Sequence, residues 1–133
     1  HPDATRPWQH VLEPLAGYLA IADRLAKHGA AFARAWKFGP DEADAQPVRW
    51  ILEHMRATCP GLEWRIEASP VHEARLLELD SSSARAELDW RPRWNLEEAL
   101  ACTVAWHQAW RAGDDVAALC LAQIADHEAA DRG

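Results

Sequence analysis

Thr5-Arg6-Pro7-Trp8-Gln9-His10-Val11-Leu12-Glu13-Pro14-Leu15-Ala16-Gly17-Tyr18-Leu19 opens extended and turns into a helix. Pro7 biases Arg6 toward β or polyproline geometry. Pro14 has no backbone N–H to lose in the first turn of a helix. Apolar residues then fall at Leu15, Leu19, Ala22 and Leu25/Ala26, widened by Tyr18 and Ile21. That is helical spacing, and it predicts a buried stripe. Gly29 is the expected left-handed C-cap. Arg6, Trp8 and His10 are thus delivered at the mouth of a helix.

Outward from this stretch the chain alternates short extended pieces with helices. Ala35–Pro40 reads as a strand stopped by Gly39-Pro40, and Asp41–Gln46 as a polar loop. Pro47 starts a second helix striped by Val48, Ile51, Leu52 and Met55. Leu62–Glu67 alternates apolar and polar residues, which predicts a half-buried strand. Ala68–Val71 reads as a loop, and Leu76–Asp80 as a short extended segment. Ser81, Ser82 or Ser83 is expected to cap a short helix over about Ser82–Leu88.

Asn95 with Glu98 makes a capping box for the longest helix. Leu96, Ala99, Leu100, Thr103, Trp106 and Trp110 are its expected inner face. Gly113 ends it. Asp114 or Asp115 caps a last helix with Val116, Leu119, Cys120, Ala122/Gln123 and Ile124 inward. The expected fold is α+β and mostly helical: about five helices and a small sheet of two or three short strands. Residues 1–126 form one domain, and 127–133 a fraying tail.

The chain has 133 residues, 49% hydrophobic and 26% charged, a globular balance with room for a core. Net charge is −7, with no basic footprint for nucleic acid. No apolar run approaches the roughly 20 residues that span a bilayer. The expected location is the cytoplasm. The chain begins His1-Pro2-Asp3 without an initiator Met, and is expected to be a piece of a longer protein. The three cysteines, Cys59, Cys102 and Cys120, form no C-x-x-C and no disulfide framework. They read as small buried hydrophobes. Eight Trp in this length supply bulky filler, with some free to face a ligand or a neighbour.

The missing motifs narrow the function. The glycines have neither phosphate-loop nor dinucleotide spacing. Tyr18 is the single Tyr, and Ala22 stands four residues on, so Tyr-x-x-x-Lys is absent. G-x-S-x-G and H-E-x-x-H are absent too. His10 with Glu13, and His72 with Glu73, are weak metal-like pairs, and no metal is expected, since zinc needs three or four converging ligands. No catalytic residue is assigned. Arg6, His72 and Arg75 lie at element edges, where binding residues gather. Arg suits phosphate oxygens. The competing reading is a solvated Arg pairing with Glu13 or Glu73.

The opening segment Arg6-Pro7-Trp8-Gln9-His10-Val11-Leu12-Glu13-Pro14-Leu15 resembles that of the CDP-glucose 4,6-dehydratases, within the extended short-chain dehydrogenase/reductase family. The resemblance continues through Ala35–Pro40, Pro47-Val48, His72-Glu73-Ala74, Leu79-Asp80, residues 84–94, Leu96–Leu100, Thr103-Val104 with Trp106, Gly113-Asp114 and Gln123-Ile124. The family usually has Lys at Ser83 and Gly at Asp89.

The resemblance implies the substrate-binding C-terminal portion of an NAD-dependent lyase, without its N-terminal Rossmann domain. The parent would convert CDP-glucose to CDP-4-keto-6-deoxyglucose for deoxysugar, O-antigen and lipopolysaccharide biosynthesis. This chain would itself hold no cofactor. It implies Arg6 near the diphosphate, and His72, Glu73 and Arg75 toward the nucleotide. Other nucleotide-sugar dehydratases or epimerases, and a stand-alone helical interaction module, remain alternatives. The face bared by the missing domain is expected at Thr5–Leu12 and Trp36–Pro40, with Trp8 and Phe38 exposed and self-association as the outcome.

Overall fold

A computed structural model describes residues 1–67 and 74–130. Along them run β1 (Thr5–Pro7), α1 (Leu12–His28), β2 (Ala45–Pro47), α2 (Val48–Thr58), α3 (Ser82–Glu87), α4 (Leu96–Ala112) and α5 (Val116–Ala129). Among the described residues the architecture is therefore α+β and mostly helical, with five helices and one two-stranded antiparallel sheet. There is no parallel sheet among them and no strand–helix–strand unit of the dinucleotide-binding kind.

The sheet is the knot of the N-terminal half. β1 and β2 pair antiparallel, Thr5 with Pro47, Arg6 with Gln46 and Pro7 with Ala45. Both prolines sit at strand ends, where a missing donor is tolerated. The other side of β1 is taken by the expected extended segment near Leu76. The Thr5 N–H donates to Arg75 O at 2.8 Å, and the Leu77 N–H donates to Thr5 O at 3.2 Å.

Two expected strands are absent. Leu62–Glu67 forms no ladder. Its side chains instead make local contacts: Arg65 pairs with Glu67, and Arg49 lies over the Trp64 ring. Ala35–Pro40 is irregular as well. Its backbone carbonyls are met by side chains: Gln9 Nε2 donates to Phe38 O at 2.9 Å, and Ser81 Oγ reaches Gly39 O at 3.4 Å.

Phe38 belongs to the core. With Ala84, Leu88 and Trp90 it forms a buried cluster, against which Ala16, Ala20, Ile21, Phe32 and Trp36 pack. Trp8 is half-buried and donates its Nε1–H to Gln46 O at 2.8 Å. The expected bare face on Trp8 and Phe38 is therefore not found: both are held by their own chain.

α1 lies the other way round from the expected orientation. Glu13 and Gly17 are its buried residues, and Leu15, Tyr18, Leu19, Ala22 and Leu25 are exposed. Small side chains at Ala16, Gly17 and Ala20 let the helix approach the Phe38 ring closely, which the larger stripe does not allow. Gly29 ends the helix with φ 62° and ψ −143°, a positive φ as expected but outside the left-handed helical region. Gly113 does close α4 in that region, at φ 82° and ψ 19°.

The later helices follow their caps. In α4 the Asn95 side chain accepts from Glu98 N while Glu98 accepts from Asn95 N. Asp115 accepts from Ala117 N and Ala118 N at the start of α5. In α3 the N-cap residue is Ser81, one of the three expected serines, but its side chain accepts no backbone N–H of the helix. Asp80 accepts from both the N–H and the hydroxyl of Ser82, which holds its carboxyl below the usual range. Trp110 and Ile124, expected inward, are exposed. α5 continues through Ala129 with His127 buried, so residues 127–129 are helix rather than frayed tail.

Candidate functional site

Two regions combine a cavity with polar side chains that bear on function, one at the sheet and one where α1 meets α5. At the sheet, Arg6 is half-buried on β1, and its Nη1 donates to Thr5 O at 2.7 Å. Arg75 is exposed on the neighbouring segment and lines a hollow of about 300 Å³ with His1, Asp3 and Ala4. The backbone bridge through Thr5 thus brings the Arg6 and Arg75 segments side by side. His72 and Glu73 lie outside the described residues. Glu13, considered from sequence as a partner for Arg6, is occupied elsewhere.

Glu13 is the centre of the second region. It sits in the first turn of α1 and is 1% exposed. Its Oε2 accepts from Arg93 N at 3.0 Å and its Oε1 from Trp94 N at 2.9 Å, so one carboxylate captures two successive backbone donors. Its carbonyl accepts the Trp90 indole N–H at 3.0 Å. His127 Nε2 lies 3.1 Å from Oε1, an ion-pair distance along which the ring N–H is not aimed. Burial of a carboxylate is tolerable when its lone pairs are filled in this way.

The Trp94 ring stands edge-on between two imidazoles, His10 and His127, each with its centroid 5.0 Å away. His10 Nδ1 accepts from Leu12 N at 3.3 Å and so covers one open donor at the start of α1. Burial pushes the His10 imidazole below its ordinary pKa; His127 adds to that push and Glu13 opposes it. Arg93 reaches over to close the other helix, donating Nη1 to His127 O at 3.0 Å and to Glu128 O at 3.2 Å. Among the described residues no group of three or more His, Cys, Asp or Glu could hold a metal ion.

Beside this cluster lies a cavity of about 370 Å³, walled chiefly by Gln9, His10, Thr103, Trp106, Gln123 and Ile124. Trp106 Nε1 donates to Cys120 Sγ at 3.2 Å, and Gln123 Nε2 to Cys102 O at 2.9 Å, so α4 and α5 are locked behind it. Burial raises the Cys102 thiol, with Asp126 and Glu98 adding to it. The walls are largely apolar and carry no fixed cation. They suit an apolar group, whereas the arginines at the sheet suit an anion.

His127, Arg93 and Trp94 were not singled out from sequence. The available signal was Gln123 followed four residues later by His127, which places both on one face of α5. Both are buried. No helix among the described residues is long and apolar enough to cross a membrane.

Comparison with known proteins places the chain beside the dehydratases. It is 43% identical over 133 residues to the CDP-glucose 4,6-dehydratase of Salmonella typhimurium. The match covers 98% of this chain and 37% of that enzyme, which is consistent with a C-terminal portion. No family model matches the chain.

Proposed function

We propose that this chain is the nucleotide-sugar-binding C-terminal part of an NAD-dependent CDP-glucose 4,6-dehydratase. The observation that supports this reading is the 43% identity carried along 98% of the chain. The residues present do not fit NAD. The described sheet is antiparallel, with no strand-to-helix turn that could cradle a pyrophosphate, and the sequence lacks Tyr-x-x-x-Lys. The cofactor and the redox chemistry therefore belong to the rest of the enzyme.

This chain's part is to hold and orient the substrate. Arg6 is the group for the diphosphate, and Arg75, on the adjacent extended segment, serves the nucleotide end with His72 and Glu73 beside it in sequence. A guanidinium gives two parallel donors to phosphate oxygens. Such fixing of a remote group places the sugar relative to the catalytic residues.

Replacing the matching stretch of the Salmonella enzyme with this chain tests the reading. The joined protein is expected to convert CDP-glucose. Arg75→Ala is expected to weaken CDP-glucose binding about 10- to 100-fold, since a charge-assisted bond contributes roughly 1.5–3 kcal/mol. A folded joined protein that binds no CDP-glucose overturns the assignment.

A further inference from the structure

Arg6, the group assigned to the diphosphate, sits in the middle of the short strand β1. It pairs with Gln46, and both flanking pairs contain a proline, Thr5 with Pro47 and Pro7 with Ala45. Proline has no N–H to donate, and a two-stranded ladder this short is marginal on its own. The direction in which Arg6 leaves the sheet therefore depends on what else holds the pair. Trp8 holds it. Its backbone N–H turns back over Pro7 to Arg6 O at 3.1 Å, and its indole Nε1–H crosses the sheet to Gln46 O at 2.8 Å. One residue thus ties both members of the Arg6–Gln46 pair, the first through a three-residue turn and the second through a bond that spans 38 positions of sequence.

Both ends of this staple are anchored. Gln46 Nε2 donates to Ala43 O at 2.9 Å, and β2 runs straight into α2 at Val48, whose N–H donates to Ala4 O at 3.1 Å. On the other side Gln9, next after Trp8, donates to Phe38 O in the core. The half-buried Trp8 ring stands outside the buried cluster of Phe38, Ala84, Leu88 and Trp90, so its directed bond across the sheet matters more than its bulk.

We propose that Trp8 is a positioning residue for Arg6: its indole N–H keeps the Arg6–Gln46 pair in place, and so keeps the guanidinium fork at the angle that two phosphate oxygens need. The proposal rests on the reading of Arg6 as the diphosphate group and deepens it. A guanidinium donates in a fixed plane, so a tilt of β1 loses the paired contact even though the charge stays nearby. Trp8 acts only through Arg6.

The test uses the joined protein with Trp8→Phe, with Arg6→Ala and with both. Phenylalanine keeps an aromatic body and removes the N–H. Trp8→Phe is expected to raise the KM for CDP-glucose about 5-fold, the worth of one hydrogen bond, and to leave kcat within about twofold. A smaller folded fraction lowers kcat and leaves KM alone, so the split separates positioning from a structural role. Arg6→Ala should raise KM by itself, and adding Trp8→Phe to it should raise KM by no more than about 1.5-fold further. The proposal is overturned by an unchanged KM in Trp8→Phe, by a fall in kcat alone, or by a variant that does not fold. It is also overturned by a 5-fold rise that repeats in the Arg6→Ala background, which makes Trp8 a contact independent of Arg6. An unchanged KM in Arg6→Ala rejects the Arg6 reading and takes the proposal with it, as does a joined protein that binds no CDP-glucose.

Discussion

Glu13 and His127 meet at 3.1 Å, and this contact brings the first turn of α1 against the last turn of α5. The contact closes a loop over nearly the whole chain. The same carboxylate receives Arg93 N and Trp94 N, so the connector before α4 is pinned to the same point. Three elements distant in sequence therefore share one buried acid.

Glu13→Ala should cost about 3 kcal/mol in urea unfolding, because two buried backbone N–H groups lose their acceptor at about 1–3 kcal/mol each. Glu13→Gln keeps one carbonyl oxygen and should cost about half as much. A loss below about 1 kcal/mol for the alanine variant would show that water fills the gap and that the cluster contributes little to stability.

Much of this centre was illegible in the sequence for a physical reason. Glu13 stands beside Pro14 in the first turn of a helix, where an acidic residue is commonplace and exposed. Nothing local says that its partners are backbone donors at Arg93 and Trp94. The caps at Asn95 and Asp115 were legible because their partners lie within three residues. The α1 stripe was legible as a period but not as a direction, since a helix with small residues on one side and large ones on the other has two faces able to pack. Ala35–Pro40 was misread as a strand because its apolar pattern is right, while its hydrogen bonds go to the Gln9 and Ser81 side chains.

Stability should fall as the solution is acidified through the His10 window. The folded-state pKa is lowered by burial, so the unfolded chain binds the proton more readily. Above the ordinary value near 6.5 both states are neutral and His10 contributes nothing to the slope. Below it the unfolded state gains protonation free energy, and the melting temperature drops until the folded-state pKa is reached. His10→Asn keeps an acceptor for Leu12 N and removes the titration. Melting curves between about pH 5 and 7.5 should be flatter for the variant than for the wild type. Equal slopes would place the titration elsewhere.

Asp89 is the one described non-glycine residue with positive φ, at 55°. It stands between the buried side chains of Leu88 and Trp90, so the backbone there is held by the core. A Cβ in this conformation costs about 1 kcal/mol, which a short polar side chain partly recovers. Asp89→Gly, the residue usual in the resembling family, should raise stability by up to about 1 kcal/mol despite the added freedom of the unfolded chain. A destabilised variant would mean that the Asp89 carboxylate holds the turn through its own contacts.

Gly17→Ala sets two effects against each other. Alanine in a helix interior is favoured over glycine by about 1 kcal/mol. At this position, however, a Cβ would run into the Phe38 ring, touching Cε1 and coming within 2.6 Å of Cδ1 and Cζ. The ring has nowhere to retreat. It is 6% exposed, stands edge-on to Trp90 at 5.0 Å and to Tyr18 at 5.8 Å, and its own carbonyl is held by Gln9. Overpacking of this kind costs about 1–3 kcal/mol and should win, so the variant is expected to be less stable than wild type. Phe38→Leu alone should also destabilise, by leaving a void beside Trp90. The double variant separates clash from chance. If the Cβ and the ring compete for one space, the pair should be less destabilised than the two single losses taken together, by at least about 0.5 kcal/mol in a double-mutant cycle. Additive losses, or a stabilised Gly17→Ala, would mean that α1 shifts away from the ring at little cost and that close approach does not set the side it buries.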